Sequence, residues 1–355
     1  MTTDKRFALS DQWMDREGPE QHVVVSSRAR YARNLPRIPF PARASAEELQ
    51  TVVKQVTNAV DTIPILKDGM HFSINDLVSL ERNYLKENHL ISTEMEKGGQ
   101  GRAMFLSSDI TVGMMVNEED HLRIFSLLSG FQPFDALNAL IELEAQLSEA
   151  IDFAYSTHYG YLTACPTNTG TGLRASVMLH LPGLSATKQL HSILKAMPRH
   201  GLTMRGFYGE NSDNMGDFYQ LSNEVTLGIT EQQIVQRIHE VIEDLVKKEE
   251  AVRSKLYGVR MGAVEDEMWR AFGLLTNARA MSSQEAVILL GKLRYGIDQG
   301  TFASLTHQAL NRLIIEVQPG HLQYSRGGEV GEQARDWLRA DYLRRTLTDL
   351  ITPSE

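Results

Sequence analysis

The segment CPTNTGTGLR, residues 165–174, decides how this sequence is interpreted. It holds the only cysteine among 355 residues, and its proline and two glycines argue against a continuous helix. Arg174 follows Cys165 within the same segment. A thiol on a rigid loop with a guanidinium nearby points to a cysteine beside an anion site, although a lone cysteine is more often a small buried hydrophobe.

The composition is typical of a globular protein. A length of 355 residues favours two domains, and 42% hydrophobic with 23% charged residues is ordinary for a globular chain. The net charge of −9 argues against direct, non-specific nucleic-acid binding. Apolar runs are too short for a membrane span, no secretory signal is evident, and one cysteine cannot form an internal disulfide. We therefore expect no membrane association and a cytoplasmic location.

Hydrophobic periodicity predicts a mixed α+β domain followed by a helical one. Strands are predicted at 21–25, 103–106, 110–116, 122–128 and 174–181. Ser45 and Thr230 each begin a capping box, an amphipathic helix is predicted over 134–154, and a hairpin over 204–227. From about residue 256 the strand pattern disappears. The predicted domains are 1–255, which holds the motifs, and 256–355, which is all-helical.

Four segments carry chemically active residues. They are SRAR at 27–30, VNEEDHLR at 116–123, the cysteine segment, and RGFYGE at 205–210. On a strand, Arg28 and Arg30 face the same side. Each segment alone has an ordinary explanation as a solvated face or a loop. Together and in this order they resemble the phosphagen (guanidino) kinases, the ATP-dependent kinases of creatine and arginine, over roughly residues 20–230.

This resemblance implies a catalytic domain with an antiparallel sheet flanked by helices, and a site for ATP and Mg²⁺. The residues implied to bind ATP are Ser27, Arg28, Arg30, His89, Arg123, Arg174, Ala175, Ser176, Arg205, Gly206, Gly209 and Glu210. Planar guanidinium groups suit phosphate oxygens, so arginines would replace the P-loop, whose GxxxxGK[ST] pattern is missing from the sequence. Mg²⁺ would bridge the phosphates and need few protein ligands.

The implied catalytic residues are Glu119, Glu210 and Cys165. A guanidinium acceptor is protonated at neutral pH, so it must be oriented and must lose a proton before it attacks phosphorus. Two carboxylates can do both, and the sequence leaves open which of them is the base. The cysteine is expected to act as a negative charge beside the acceptor, without a covalent intermediate.

The acceptor is expected to be an arginine side chain of a protein. The S-x-R-x-R motif begins at residue 26, whereas metabolite kinases carry a helical domain before it; we expect that domain to be absent and the site to be open. The order of domains resembles the bacterial family members that phosphorylate protein arginines. RDWLRA at 335–340 matches their R-D-x-x-R-A motif, which implies phosphoarginine binding by Arg335, Asp336 and Arg339. The alternative is a solvated helix face with an Asp336–Arg339 pair.

The implied partners are proteins with exposed or unfolded arginines, a Clp ATPase and protease that degrade the marked proteins, a zinc-binding activator, and a heat-shock repressor that phosphorylation inactivates. A homodimer is expected, for which Leu289, Leu290 and Leu293 offer a helix face. Two alternatives stay open: a kinase of a free guanidine such as arginine, and a non-catalytic adaptor that binds phosphoarginine. Thr167, Asn211 and the bulky pair at 207–208 depart from the metabolite kinases.

Overall fold

The computed structural model describes residues 7, 13–206, 215–302 and 304–351. Within them an antiparallel sheet of eight strands has the order β2-β3-β4-β5-β1-β8-β10-β9. Its strands are β1 (Val24–Arg33), β2 (Met70–Ser73), β3 (Ala103–Leu106), β4 (Val112–Val116), β5 (Leu122–Ser129), β8 (Leu173–His180), β9 (Leu202–Gly206) and β10 (Phe218–Asn223). Two-residue strands β6 (Tyr155–Ser156) and β7 (Gly160–Tyr161) pair separately. The predicted antiparallel sheet flanked by helices is confirmed.

The described helices flank the sheet and then continue into a helical region. They are α1 (Ala46–Val60), α2 (Pro64–Lys67), α3 (Ser79–Glu87), α4 (Thr93–Glu96), α5 (Pro133–Ser148), α6 (Pro182–Ala186), α7 (Leu190–Ala196), α8 (Glu231–Asn277), α9 (Ser283–Asp298), α10 (His307–Glu316), α11 (Pro319–Arg326) and α12 (Glu332–Ile351). None of them has both the length and the apolar composition that a bilayer span requires.

Local capping sets where the principal helices begin. Ser45 and Thr230 form the predicted capping boxes at the starts of α1 and α8. Helix α5 ends at Ser148, six residues before the predicted end at 154. Glu144 interrupts the apolar face of α5 because its carboxylate accepts a hydrogen bond from the buried Arg33.

The two faces of the sheet have different partners. One face packs an apolar core against α5 and α8, with Ala29 and Tyr31 of β1 completely buried. The opposite face packs against the helical region, where Leu127 and Phe218 join the core of α9, α10 and α12. We call this opposite side the second face of the sheet, and the candidate site lies on it.

The leucines that suggested a dimer interface are part of the protein's own core. Leu289 is 8% exposed, and Leu290 and Leu293 are fully buried in the helical region. The interpretation of these three residues as a dimer face is therefore wrong, because they already pack within one chain.

Helix α8 leads from the sheet into the helical region and is kinked at Arg260, whose backbone is non-helical (φ −127°, ψ 27°). Its first part crosses the predicted boundary at residue 255 before this kink. Arg253 on this helix donates to the carbonyls of His22 and His180 beside the sheet and to Asp298 on α9. The two parts of the chain are thus joined by a buried polar network, and the boundary at 255 stays a prediction.

Candidate active site

Five arginines lie on the second face of the sheet. Arg30 is directly opposite Arg174, and Arg28 opposite Ser176, in the β1–β8 register. Residues opposite one another in an antiparallel pair share a face. By the same register, Arg123 on β5 and Arg205 on β9 lie on this face too. The sequence prediction that these arginines converge is consistent with the geometry.

The arginines carry like charges and repel one another. Burial, and then the charge of Arg123, lower the pKa of Arg28 to about 10. Burial also lowers the pKa of Arg30 well below its ordinary value, aided by Arg28, Arg123 and Arg174. The buried Nε atoms of Arg28 and Arg30 find no hydrogen-bond partner in the described part of the chain. Such a surface favours a polyanion that would neutralise it.

Glu118 is the counter-charge within this cluster. Its side chain is 3% exposed and forms an ion pair with Nη1 of Arg123. Ser92 donates a hydrogen bond to the other carboxylate oxygen. The charge of Glu118 also opposes the lowering of the pKa of Arg28 and Arg30. The sequence analysis assigned no role to Glu118, because adjacent acidic residues look alike until their partners are known.

Asn117 and His121, at the two ends of the motif at 117–121, form hydrogen bonds that hold this segment in place. Asn117 donates to the carbonyls of Leu49 and Gly101. His121 accepts from the Leu35 amide at Nδ1, so its Nε2 donates to the Pro39 carbonyl. These contacts bury the segment on both sides of Glu119.

Glu119 is the exposed member of this segment. Partial burial raises its pKa above the ordinary 4.5, with Asp120 and Glu118 adding to the effect and Arg123 opposing it. A carboxylate with a raised pKa at an open position suits a proton acceptor.

The cysteine loop is tied to the acidic segment. Asp120 accepts hydrogen bonds from the Ala164 amide and from Asn34, both at 2.7 Å. Ala164 immediately precedes Cys165, so this bond sets the loop relative to Glu119. Cys165 Sγ lies 3.0 Å from Thr167 Oγ1.

Close packing at the end of the loop requires glycine. Gly170 has φ +116°, and a Cβ there would lie 2.2 Å from the Thr226 carbonyl oxygen.

Arg174, at the end of the same segment, responds to several neighbouring charges. Burial, followed by the charges of Arg205 and Arg123, lowers the pKa of Arg174, while Glu224 and Cys165 oppose this lowering. Cysteine and arginines thus share one electrostatic environment.

Several predicted site residues do not reach the arginine face. Ser27 is on the opposite face, where its hydroxyl donates to Gly130 and accepts from Gln132. Ala175 is buried in the apolar core. Their side chains therefore support the sheet rather than a ligand on the arginine face. Gly206 ends β9, and Gly209 and Glu210 lie outside the described residues.

A cavity of about 180 Å³ opens beside Arg28 and Arg30. His89 lines it with φ +62°, and burial, then Arg28 and His321, lower its pKa to about 4, so the ring is neutral near pH 7. The cavity lining also includes five apolar residues, Leu127, Met178, Phe218, Ile314 and Ile315. The last two come from α10, a contribution that no local pattern in the sequence indicated.

The R-D-x-x-R-A segment lies at the start of α12. Arg339 is 1% exposed and donates to the carbonyls of Val317 and Met281 and to Asp336. Arg335 is half-buried and donates to the Val330 carbonyl. The Asp336–Arg339 pair of the alternative interpretation is present, but Arg339 is buried rather than solvated.

An antiparallel sheet with a row of arginines, and with a carboxylate and a thiol beside them, defines the class of ATP:guanido phosphotransferases. The family model of the ATP:guanido phosphotransferase C-terminal catalytic domain matches residues 51–252, and that of the protein-arginine kinase McsB C-terminal domain matches 261–355. The chain belongs to the protein-arginine kinase family.

Individual relatives agree with this membership. The chain is 40% identical to the protein-arginine kinase of Pelotomaculum thermopropionicum, over 95% of this chain and 96% of that one. It is 41% identical to that of Bacillus subtilis, over 96% and 94%. Among solved structures, the duplicated taurocyamine kinase of Schistosoma mansoni with bound transition state analog components has a TM-score of 0.60 and 27% identity. That match covers 70% of this chain and 37% of the longer one.

Proposed function

We propose that the protein transfers the γ-phosphoryl group of ATP to the guanidinium of arginine side chains in proteins. The observation that carries the proposal is the exposed Glu119, between β4 and β5, beside a row of arginines, in a chain similar along almost its whole length to protein-arginine kinases. An exposed carboxylate can be reached by a side chain that projects from a large substrate.

The arginine face binds the triphosphate and neutralises charge during transfer. Arg28, Arg30, Arg123 and Arg174 supply several N–H donors each, and phosphoryl transfer depends chiefly on positioning and charge stabilisation. With the phosphates on this face, the base would occupy the cavity beside Arg28 and Arg30. Arg205, at the edge strand, extends the same surface.

Mg²⁺ would be held at this site by the nucleotide rather than by protein side chains. Among the described residues of the arginine face, Glu118 is already paired with Arg123, so the donor set offers positive groups rather than metal ligands. A metal held by phosphate oxygens matches this surface. When bound, it would supply further charge neutralisation on the phosphates.

Glu119 orients the acceptor guanidinium and takes its proton. The acceptor nitrogen then forms the N–P bond as the bond from the γ-phosphorus to the ADP oxygen breaks, and the proton remains on a carboxylate. Glu210 is the second proposed carboxylate. Cys165, fixed through Asp120 and Ala164, provides a polarisable group beside the acceptor without forming a bond to it.

The wider role follows the same proposal. Phosphorylated proteins would pass to a Clp ATPase and protease, with a zinc-binding activator and a heat-shock repressor as further partners, in the cytoplasm and as a homodimer. A phosphoarginine site at α12 would use Arg335 and Asp336 at the surface, with Arg339 holding the helix in place.

The test is product analysis under conditions that preserve the P–N bond. Full-length protein with Mg·ATP should place acid-labile phosphate on arginines of a denatured protein, as detected by mass spectrometry. Glu119→Gln is the inactive control, and free arginine is the competing acceptor. Strong turnover of free arginine, or phosphate found only on serine or tyrosine, would contradict the proposal. ATP consumption equal to that of the Glu119→Gln control would instead favour the non-catalytic adaptor.

A further inference from the structure

We propose that Asn311, on α10 of the helical region, is a specificity-determining contact for the base of the nucleotide. This inference rests on the proposed function, since it assumes that the arginine face holds the phosphates. It concerns the part of the cavity that the catalytic sheet does not form. Asn311, Ile314 and Ile315 make up the α10 side of that cavity.

The cavity is built for a polar ligand. Four of its lining residues carry a buried polar atom without a hydrogen-bond partner in the described structure: Trp13 Nε1, Arg28 Nε, Arg30 Nε and Ser176 Oγ. Buried polar groups are nearly always satisfied, so such a concentration around one space indicates a group that would satisfy them. Trp13 belongs to the same apolar cluster as Leu127 and Phe218, whereas the two arginines belong to the face proposed to hold the phosphates.

Size and lining favour a single ring system. The cavity of about 180 Å³ is smaller than the roughly 300–1,000 Å³ typical of sites for whole drug-sized ligands. Leu127 and Phe218 on the sheet, and Ile314 on α10, are each at most 5% exposed and supply apolar walls. A flat heteroaromatic base buries its faces against such walls, while its ring nitrogens still need donors.

The orientation of the Asn311 amide follows from its neighbour. Asn311 is 5% exposed, and Arg294 Nε donates to its Oδ1 at 3.3 Å. A guanidinium has donors only, so the atom of Asn311 that faces Arg294 must be the oxygen. The NH₂ group then lies on the opposite side of the amide. Arg294 is itself held, since it donates to the carbonyls of His22 and Gln21. In this proposal the NH₂ group is the fixed hydrogen-bond donor that Asn311 offers to a base in the cavity.

Helix α10 is anchored so that this donor keeps its place. Arg312 Nε donates to Asp15 at 2.8 Å, and Gln308 Nε2 to Gln21 Oε1 at 3.0 Å. Both contacts join α10 to the segment that leads into β1. A base in the cavity would thus touch the catalytic sheet and the helical region at once, and would stabilise their packing.

The test compares a nucleotide with a phosphate chain that has no base. Mg·ADP and inorganic tripolyphosphate are titrated into the full-length protein by calorimetry. Asn311→Leu, of similar volume, should weaken Mg·ADP about tenfold and leave tripolyphosphate within twofold. Asn277→Leu, the same change at an exposed position of α8 outside the cavity lining, is the control and should change neither affinity.

A second variant covers the possibility that the leucine protein does not fold. Asn311→Asp retains an oxygen for Arg294 but lacks the donor, so the ratio of the two affinities should shift in the same direction. An unchanged ratio in both variants, or equal losses for Mg·ADP and tripolyphosphate, would overturn the inference. If the wild-type protein itself failed to bind Mg·ADP or to phosphorylate arginine, the proposed function would fail instead.

Discussion

Replacing Glu118 by glutamine tests the claim that this residue holds the arginine face together. The substitution keeps the shape of the side chain and removes its charge. Arg123 would lose its ion-pair partner, and Arg28 and Arg30 would lose the carboxylate that raises their pKa. We expect the folded state to weaken in the absence of nucleotide.

The magnitude follows from burial. Glu118 is 3% exposed and Arg123 22%, so water screens the carboxylate poorly. A hydrogen bond to a charged group contributes about 1.5–3 kcal/mol, and breaking a buried pair costs about 3–5 kcal/mol. Because Arg123 keeps some contact with water, we expect a loss near the lower end, about 3 kcal/mol. In a chain of this size that corresponds to a decrease in Tm of roughly 5 °C.

Thermal unfolding with and without nucleotide is the assay. Bound phosphates would replace the missing negative charge, so the difference in Tm between wild type and Glu118→Gln should shrink in saturating Mg·ADP. Glu119→Gln, one residue away and exposed, should unfold like the wild type in both conditions. A Glu118→Gln protein as stable as the wild type without ligand, or equally weakened with it, would refute the reasoning.

Three further predictions concern catalysis, pH and the helical region. Glu119→Gln should lower kcat roughly 10²–10⁴-fold without changing the affinity for ATP. Because the pKa of Glu119 is raised, the kcat of the wild type should already fall at pH values above 4.5 as the pH decreases. A kcat that stays constant down to pH 4.5 would contradict this. Burial lowers the pKa of His89 from 6.5 to about 4, so the unfolded chain takes up its proton first and stability is lost as the pH falls through this window. His89→Gln should reduce that loss, measured by urea unfolding, by roughly 3 kcal/mol at most; an unchanged slope would count against it. Arg339→Met should destabilise the fold by about 3 kcal/mol, because the buried carbonyls of Val317 and Met281 lose their donor. Arg335→Ala should change stability by less than about 1 kcal/mol and should weaken phosphoarginine binding in calorimetry. Equal stability losses in the two variants would contradict this division of roles.

Local signals predicted much of the architecture. The capping boxes at Ser45 and Thr230 were confirmed, because short-range chemistry determines them. The strand predicted at 21–25 was placed too early: β1 begins at Val24 and continues to Arg33, and its alternation puts Arg28 and Arg30 on one face. The arginines share a face because strand register extends that alternation to β5, β8 and β9. Motif order then identified the family, as the similarity to known proteins shows.

What the sequence could not reveal depends on distant contacts. Ser27 precedes Arg28 in one motif, yet the pleat of β1 places its side chain on the other face. Asn311 reaches the cavity although it is more than 280 residues from Arg28, and no periodicity records that approach. Arg339 has the spacing of a surface pair, but its burial is set by the carbonyls of Val317 and Met281.

The course of α8 affects how truncated forms of this protein should be interpreted. A fragment ending at residue 255 would stop inside α8, before its kink at Arg260, with Arg253 separated from Asp298. It would also lose α10 and with it one wall of the cavity beside the arginines. Loss of activity in such a fragment would therefore report a damaged nucleotide site, and would not show that the helical region carries out chemistry of its own. Point substitutions on α10 are the cleaner way to separate the contributions of the two parts.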